Sequence, residues 1–159
     1  MAPRPKFIAR LSNLWYNLRV NQSIIGAFEK VSFPDFGIFD VVAKVDTGAL
    51  SGALHATHVK EIKLPTGEMA VSFLPYGKKP EIEVVGFQKK EIKSSNGIIE
   101  ERYIVPTVVV IAGAHYPINI SLTNRSRMMK GVLLGRNFLR DHGLLVDANG
   151  GSQYRYEIK

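Results

Sequence analysis

The chain has 159 residues, enough for one domain with a substantial core, and its 45% hydrophobic and 22% charged content is ordinary for a soluble globular protein. It holds no cysteine, which excludes disulfides, thiol catalysis and cysteine-rich zinc sites, and it has no run of ~18 apolar residues to serve as a transmembrane helix. The formal net charge is +7, a field that draws anionic partners; with no basic cluster interleaved with aromatics, the expectation is an acidic peptide rather than nucleic acid. The composition fits a cytoplasmic protein without stable membrane insertion.

In chain order, Phe7, Leu11, Leu14, Trp15 and Leu18 recur at helical spacing, so residues 1–22 are predicted as a basic amphipathic segment with a short helix. This segment contains Arg4, Lys6, Arg10 and Arg19 and no acid. The readings of it are a helix packed on its own domain or a dimer partner, a membrane-surface or docking helix, a regulatory segment occupying the groove, and a transit peptide. From residue 23 to 159 the pattern is that of one all-β domain. Strands are predicted at 24–31 and 38–45 around the turn Pro34-Asp35-Phe36-Gly37, then at 53–63, 69–74, 82–87 and 89–93. Ser94-Ser95-Asn96-Gly97 is a hairpin turn, because Asn-Gly supplies the positive φ angles of a type I′ turn. Strands follow at 98–105, 107–111, 116–122 and 132–134, with an alternating tail at 152–159. Many short strands at this spacing predict a sandwich or barrel.

The chemistry concentrates where the run ending at Val45 meets Asp46-Thr47-Gly48-Ala49. A strand feeding a tight turn with one carboxylate is how an acid–base hydrolase fixes a catalytic aspartate. Peptide hydrolysis by water needs one carboxylate as base and another as acid, and two carboxylates ~3 Å apart share a single proton and divide those roles. Gly48 lets backbone N–H groups approach the carboxylate, and Thr47 is placed to bond across to an equivalent turn. Asp40, Asp141 and Asp147 lack the Thr-Gly that follows Asp46, so the second carboxylate is expected from another copy of the chain, in a symmetric homodimer. Downstream, Leu133-Leu134-Gly135 is expected to run beneath the catalytic turn, with Gly135 required because no side chain fits there.

Together, Lys44-Val45-Asp46-Thr47-Gly48-Ala49 and Ala53-Leu54-His55-Ala56 resemble the bacterial and archaeal retropepsin-like peptidases once labelled "ATP-dependent zinc protease". The likeness continues through Ser94-Ser95-Asn96-Gly97, Glu101-Arg102-Tyr103, Ile120-Ser121-Leu122-Thr123-Asn124-Arg125 and Leu133-Leu134-Gly135-Arg136, covering about residues 24–147. It implies a closed retropepsin-like β-barrel with Asp46, Thr47 and Gly48 as the catalytic turn. Ala49, His55 and Arg136 are implied beside the substrate, with Ser94, Ser95, Asn96 and Gly97 as the tip of a hairpin closing over it. Members are associated with ligases that add glutamate to proteins, which implies trimming of acidic or glutamylated tails. The chain departs from the family where Leu50-Ser51-Gly52 replaces the usual Lys-Thr-Ser. Retroviral proteases carry at the Leu50 position an acid that pairs with the arginine matching Arg136. Arg136 is therefore expected to pair with Asp141 or Asp147, or to face substrate.

No metal or other cofactor is expected. His55 and His58 are three apart on a predicted strand, hence on opposite faces, and neither a His-Glu-x-x-His motif nor a phosphate-binding Gly-x-x-x-x-Gly-Lys loop occurs. Ser94, Ser95 and Ser121 lack a nucleophile-elbow setting and read as turn chemistry. The rival readings are a dimeric peptide-binding module without catalysis and a zinc-dependent peptidase. His55 also reads as a hydrogen-bonded structural residue.

Overall fold

Alternating apolar and polar residues form strands over nearly every segment so predicted in the computed structural model, which describes residues 23–93 and 97–155. The elements are β1 (Ile24–Gly26), β2 (Phe28–Phe33), β3 (Ile38–Asp46), β4 (Ala53–Lys63), β5 (Met69–Pro75), β6 (Ile82–Val85) and β7 (Gln88–Lys93). They continue with β8 (Ile99–Ile111), β9 (Ala114–Thr123), β10 (Val132–Gly135), helix α1 (Arg136–Asp141) and β11 (Leu145–Asp147). Short 3-10 turns occupy Pro34–Phe36 and Ser152–Tyr154. The helix expected within residues 1–22 lies outside the described residues.

Pairing runs round a ring, from β10 to β3, β2, β8, β9 and β4, and from β4 back to β10. β5 and β6 extend from β4 as a wing, and β7 pairs only with the outer half of β8. β1 and β11 form a separate parallel pair. Inward positions supply the core: Val31, Phe33, Leu54, Phe73, Val105, Val109, Ile120, Val132 and Leu134 are essentially inaccessible. Each such side chain contributes about 1.5–3 kcal/mol by burial. Phe36 sits between Phe33, stacked at 6.2 Å, and Phe73, met edge-on at 5.3 Å.

Three differences from the sequence reading have local causes. The strand expected at 24–31 breaks at Ala27, where the chain passes from pairing with β11 to pairing with β3, and Gly26 beside the break is packed so that a Cβ there would be 2.5 Å from the Gly150 carbonyl carbon. The segments 98–105 and 107–111 fuse into one strand through Pro106. That proline falls between Ile104, where pairing with β7 ends, and Val110, where pairing with β2 begins, so its missing N–H costs no ladder bond on that edge. The first part of the tail predicted as a strand over 152–159 instead turns at Gly151 (φ 73°) into Ser152–Tyr154, and residues 156–159 lie outside the described residues. The Tyr154 carbonyl accepts a 2.7 Å hydrogen bond from the buried Lys130 ammonium, and the Tyr154 ring receives Lys30 at 5.1 Å.

Candidate active site

Period-two alternation in β3 buries Ala43 and Val45 and turns Lys44 and Asp46 to the other face. The chain then leaves β3 and folds back so that its own N–H groups meet the carboxylate. Asp46 Oδ1 accepts from the N–H of Gly48 at 3.0 Å and of Ala49 at 3.2 Å. Oδ2 accepts from Lys44 Nζ, also at 3.0 Å. The Lys44 ammonium, and after it the two N–H donors, hold the Asp46 carboxyl below its ordinary pKa against the opposing effect of partial burial. A Cβ on Gly48 would stand 3.2 Å from Oδ1, so the glycine is what admits this grip.

The turn is braced from beneath. β10 runs parallel to β3 with Gly135 opposite Asp46, and a Cβ on Gly135 would lie 2.5 Å from the Ser51 carbonyl. This is the close passage expected of Leu133-Leu134-Gly135. Past Gly135 the chain enters α1, donating from Arg136 N to the Ala49 carbonyl (2.8 Å) and from Asn137 N to the Leu50 carbonyl (2.9 Å). From the other side, the Gly52 carbonyl accepts both the hydroxyl (2.8 Å) and the N–H (3.2 Å) of buried Ser121. Residues 46–52 are thus fixed by backbone bonds to two elements far away in sequence.

The remaining predicted residues are placed as follows. Thr47 is exposed, and its carbonyl accepts from Arg136 Nη1 at 3.4 Å. Among the described residues Arg136 forms no ion pair with Asp141 or Asp147; the Asp147 carboxylate caps Asn149 N instead, at 2.9 Å. With no acid at position 50, the guanidinium turns to a backbone carbonyl of the Asp46 turn. His55 is buried in β4, its Nδ1 accepting from Arg125 N at 2.9 Å and its ring edge-on to Tyr76 at 5.8 Å. It ties residues 124–131 to the wall. Gly97 has the positive φ (79°) that its hairpin turn requires, at the end of an arm formed by β7 and β8. Ser94, Ser95 and Asn96 lie outside the described residues. A groove of about 380 Å³ joins the base of that arm to the turn, lined by Gln88, Lys90, Asn119, Ser51, Gly52 and Asn137 among others.

Sequence reasoning missed Lys44, although opposite charges two apart on one strand face are a readable signal. It also missed Arg125, more than half buried, whose guanidinium is lowered by that burial and by Arg102 and is only weakly offset by Tyr76 and Asp46. Among the described residues no three histidine, aspartate or glutamate side chains gather to hold a metal, and no helix is long and apolar enough to cross a membrane.

Known proteins share this arrangement. The RimB-like family, described as "Retropepsin-like aspartic endopeptidase RimB", matches residues 24–152. A "Probable alpha-L-glutamate ligase" of Shewanella halifaxensis (strain HAW-EB4) is 33% identical over 131 residues, covering 79% of this chain and 28% of that protein. A protein of the same description from Desulfotalea psychrophila (strain LSv54 / DSM 12343) is 31% identical over 134 residues, covering 80% and 28%. The chain therefore spans little more than a quarter of these curated relatives. Among solved structures, Lpg0085 of Legionella pneumophila subsp. pneumophila str. Philadelphia 1, a protein of unknown function, superposes with a TM-score of 0.64 at 29% identity, over 79% of this chain and 93% of that one. With an Asp-Thr-Gly turn closing β3 and Gly135 beneath it, this chain belongs to the RimB-like family of retropepsin-like aspartic endopeptidases.

Proposed function

We propose that the chain is an aspartic peptidase, active as a homodimer that pairs Asp46 from two copies and acting on acidic or glutamylated protein tails. The observation that carries this reading is the grip on Asp46: a carboxylate presented on a turn fixed by Gly48, Gly135 and Ser121, with one oxygen held by two N–H groups. One Asp46 of the pair would take a proton from water as its oxygen bonds to the scissile carbonyl carbon. The other would give its proton to the departing nitrogen as the carbon–nitrogen bond breaks. The arm of β7 and β8 would cover the peptide in the groove, and Lys44 and Arg136 beside the turn suit an acidic chain. Cytoplasmic location belongs to the same reading.

Cleavage of a glutamate-rich peptide library, followed by mass spectrometry, tests it. Asp46→Asn is expected to lose at least about 10²-fold in rate, the lower range for losing general acid–base catalysis. Cleavage by Asp46→Asn at the wild-type rate refutes the assignment. A second reading has its own support, because the curated relatives are named as ligases and this chain matches only part of them. It is a dimeric module that binds a glutamate-bearing peptide without cutting it; tight binding of such peptides by both proteins, with no turnover from pH ~4 to 8, selects it.

A further inference from the structure

The two-carboxylate mechanism has no use for a lysine, yet Lys44 stands on Asp46. Strand periodicity sends both side chains to one face of β3, and Lys44 Nζ lies 3.0 Å from Oδ2. Oδ1 is taken by the N–H groups of Gly48 and Ala49. Both oxygens thus accept from donors that favour the ionised form. While the ammonium stays on Oδ2 it favours the ionised carboxylate and so opposes the proton that a working pair must hold. Drawing Lys44 away from Oδ2 removes that opposition.

The surroundings indicate what would draw it away. The Lys44 side chain is 47% exposed on a flexible four-carbon stem, free to change rotamer. Several other cations lie around this turn, while the nearby acids Glu29 and Glu100 are engaged with Gly26 N and Arg102. Arg136 at the start of α1 lies on the Thr47 carbonyl, and Arg125 is held with Arg102 in its field. Lys130 lies over Phe28, the register partner of Lys44 on β2, and Lys30 extends from the same strand over Tyr154. Among the described residues, the carboxylate that Lys44 pairs with is Asp46. An arriving carboxylate therefore offers the ammonium a second charged partner in competition with Asp46.

We propose that Lys44 is a charge-exchange residue: in the empty site it holds Asp46, and when a peptide places a carboxylate side chain beside the scissile bond it passes to that carboxylate, freeing Oδ2 for the shared proton. This rests on the aspartic peptidase reading above. It makes Lys44 a specificity-determining and positioning residue. An acidic substrate releases the acid–base pair that cuts it, whereas a neutral one leaves Asp46 locked.

The test uses two peptides that differ only by Glu or Gln next to the scissile bond, in cleavable and reduced-amide forms, with wild type, Lys44→Met, Lys44→Arg and Asp46→Asn. Wild type is expected to prefer the Glu peptide by about tenfold or more in kcat/KM, the range for a hydrogen bond to a charged group. Lys44→Met should bring that ratio near one and move the acidic limb of the kcat/KM profile to higher pH; Lys44→Arg should keep the preference. Carboxyl ¹³C titration of Asp46 with the reduced-amide peptides reads the exchange without turnover. The Glu peptide should raise the wild-type titration and the Gln peptide leave it unchanged, while Lys44→Met starts raised and responds to neither. An intact Glu/Gln ratio in Lys44→Met overturns the exchange, as does a wild-type titration that the Glu peptide fails to move, lack of binding included. If Asp46→Asn is inactive in those cases, the parent reading survives; if Asp46→Asn cleaves normally, that reading falls and the exchange with it.

Discussion

Gly135→Ala puts the bracing of the catalytic turn under direct strain. The backbone at Gly135 is extended, φ −91° and ψ 175°, which alanine adopts freely. Elsewhere such a change would stabilise by about 0.4–1 kcal/mol, by narrowing the unfolded ensemble. Here the new methyl would stand 2.5 Å from the Ser51 carbonyl carbon and oxygen, which are backbone atoms and cannot rotate aside. Relief needs close to an ångström of separation between β10 and the turn. That movement stretches the bonds from Arg136 N and Asn137 N to the Ala49 and Leu50 carbonyls, now 2.8 and 2.9 Å. An overpacking cost of about 3 kcal/mol, less the entropic gain, leaves a net loss of about 2 kcal/mol. For a domain of this size that is a fall in Tm of roughly 4–8 °C. Thermal unfolding followed by circular dichroism measures the fall, and peptide cleavage below the transition should drop further than stability explains, because Asp46 moves with the turn. A variant melting within about 1 °C of wild type and cutting normally would refute the close passage as the reason for glycine at this position.

Two further outcomes test neighbouring parts. Ser121→Ala removes one of the two donors to the Gly52 carbonyl and leaves the other at 3.2 Å, so it should cost about 1 kcal/mol in urea unfolding; an unchanged midpoint would mean the hydroxyl bond adds nothing. Tyr76 is pushed up to about 12 by burial, with Arg125 opposing, so one phenol should ionise late in an ultraviolet alkaline titration and Tyr76→Phe should delete that late step. Because the folded state keeps this proton after the unfolded chain has lost it, stability should fall as pH rises from about 10, and less steeply in Tyr76→Phe.

Much of the fold was legible because its signals are short-range. Alternation marked β3, β4 and β9, Gly37 marked the turn after Phe36, and Asp46-Thr47-Gly48 together with Gly135 pointed to one site from positions far apart in the chain. What was not legible depended on partners that lie close only after folding. Nothing near Ala27 announces that β1 departs to pair with β11, since that partner lies about 120 residues away in sequence. The alternation that begins at Tyr154 reads as a strand, but Gly151 and the buried Lys130 hold Ser152–Tyr154 in a turn. The six residues of α1 were too few for helical periodicity to register. Arg136 was assigned a carboxylate by general expectation, and the fold offered it the Thr47 carbonyl. His55 gave two readings from sequence, and its burial with Nδ1 on Arg125 N supports the structural one.

β10 is four residues long, yet it lies between β3 and β4, parallel to one and antiparallel to the other. Those two strands leave the ribosome about seventy to ninety residues before it. Until Val132–Gly135 arrives, each presents an open edge that another chain can pair with, and the turn bearing Asp46 has no floor. Closing the ring joins residues about ninety apart in sequence, the kind of long-range contact that folds slowly. A nascent or truncated chain ending before Val132 is therefore exposed to aggregation and has no completed site: the turn bearing Asp46 is supported only once Val132–Gly135 is in place.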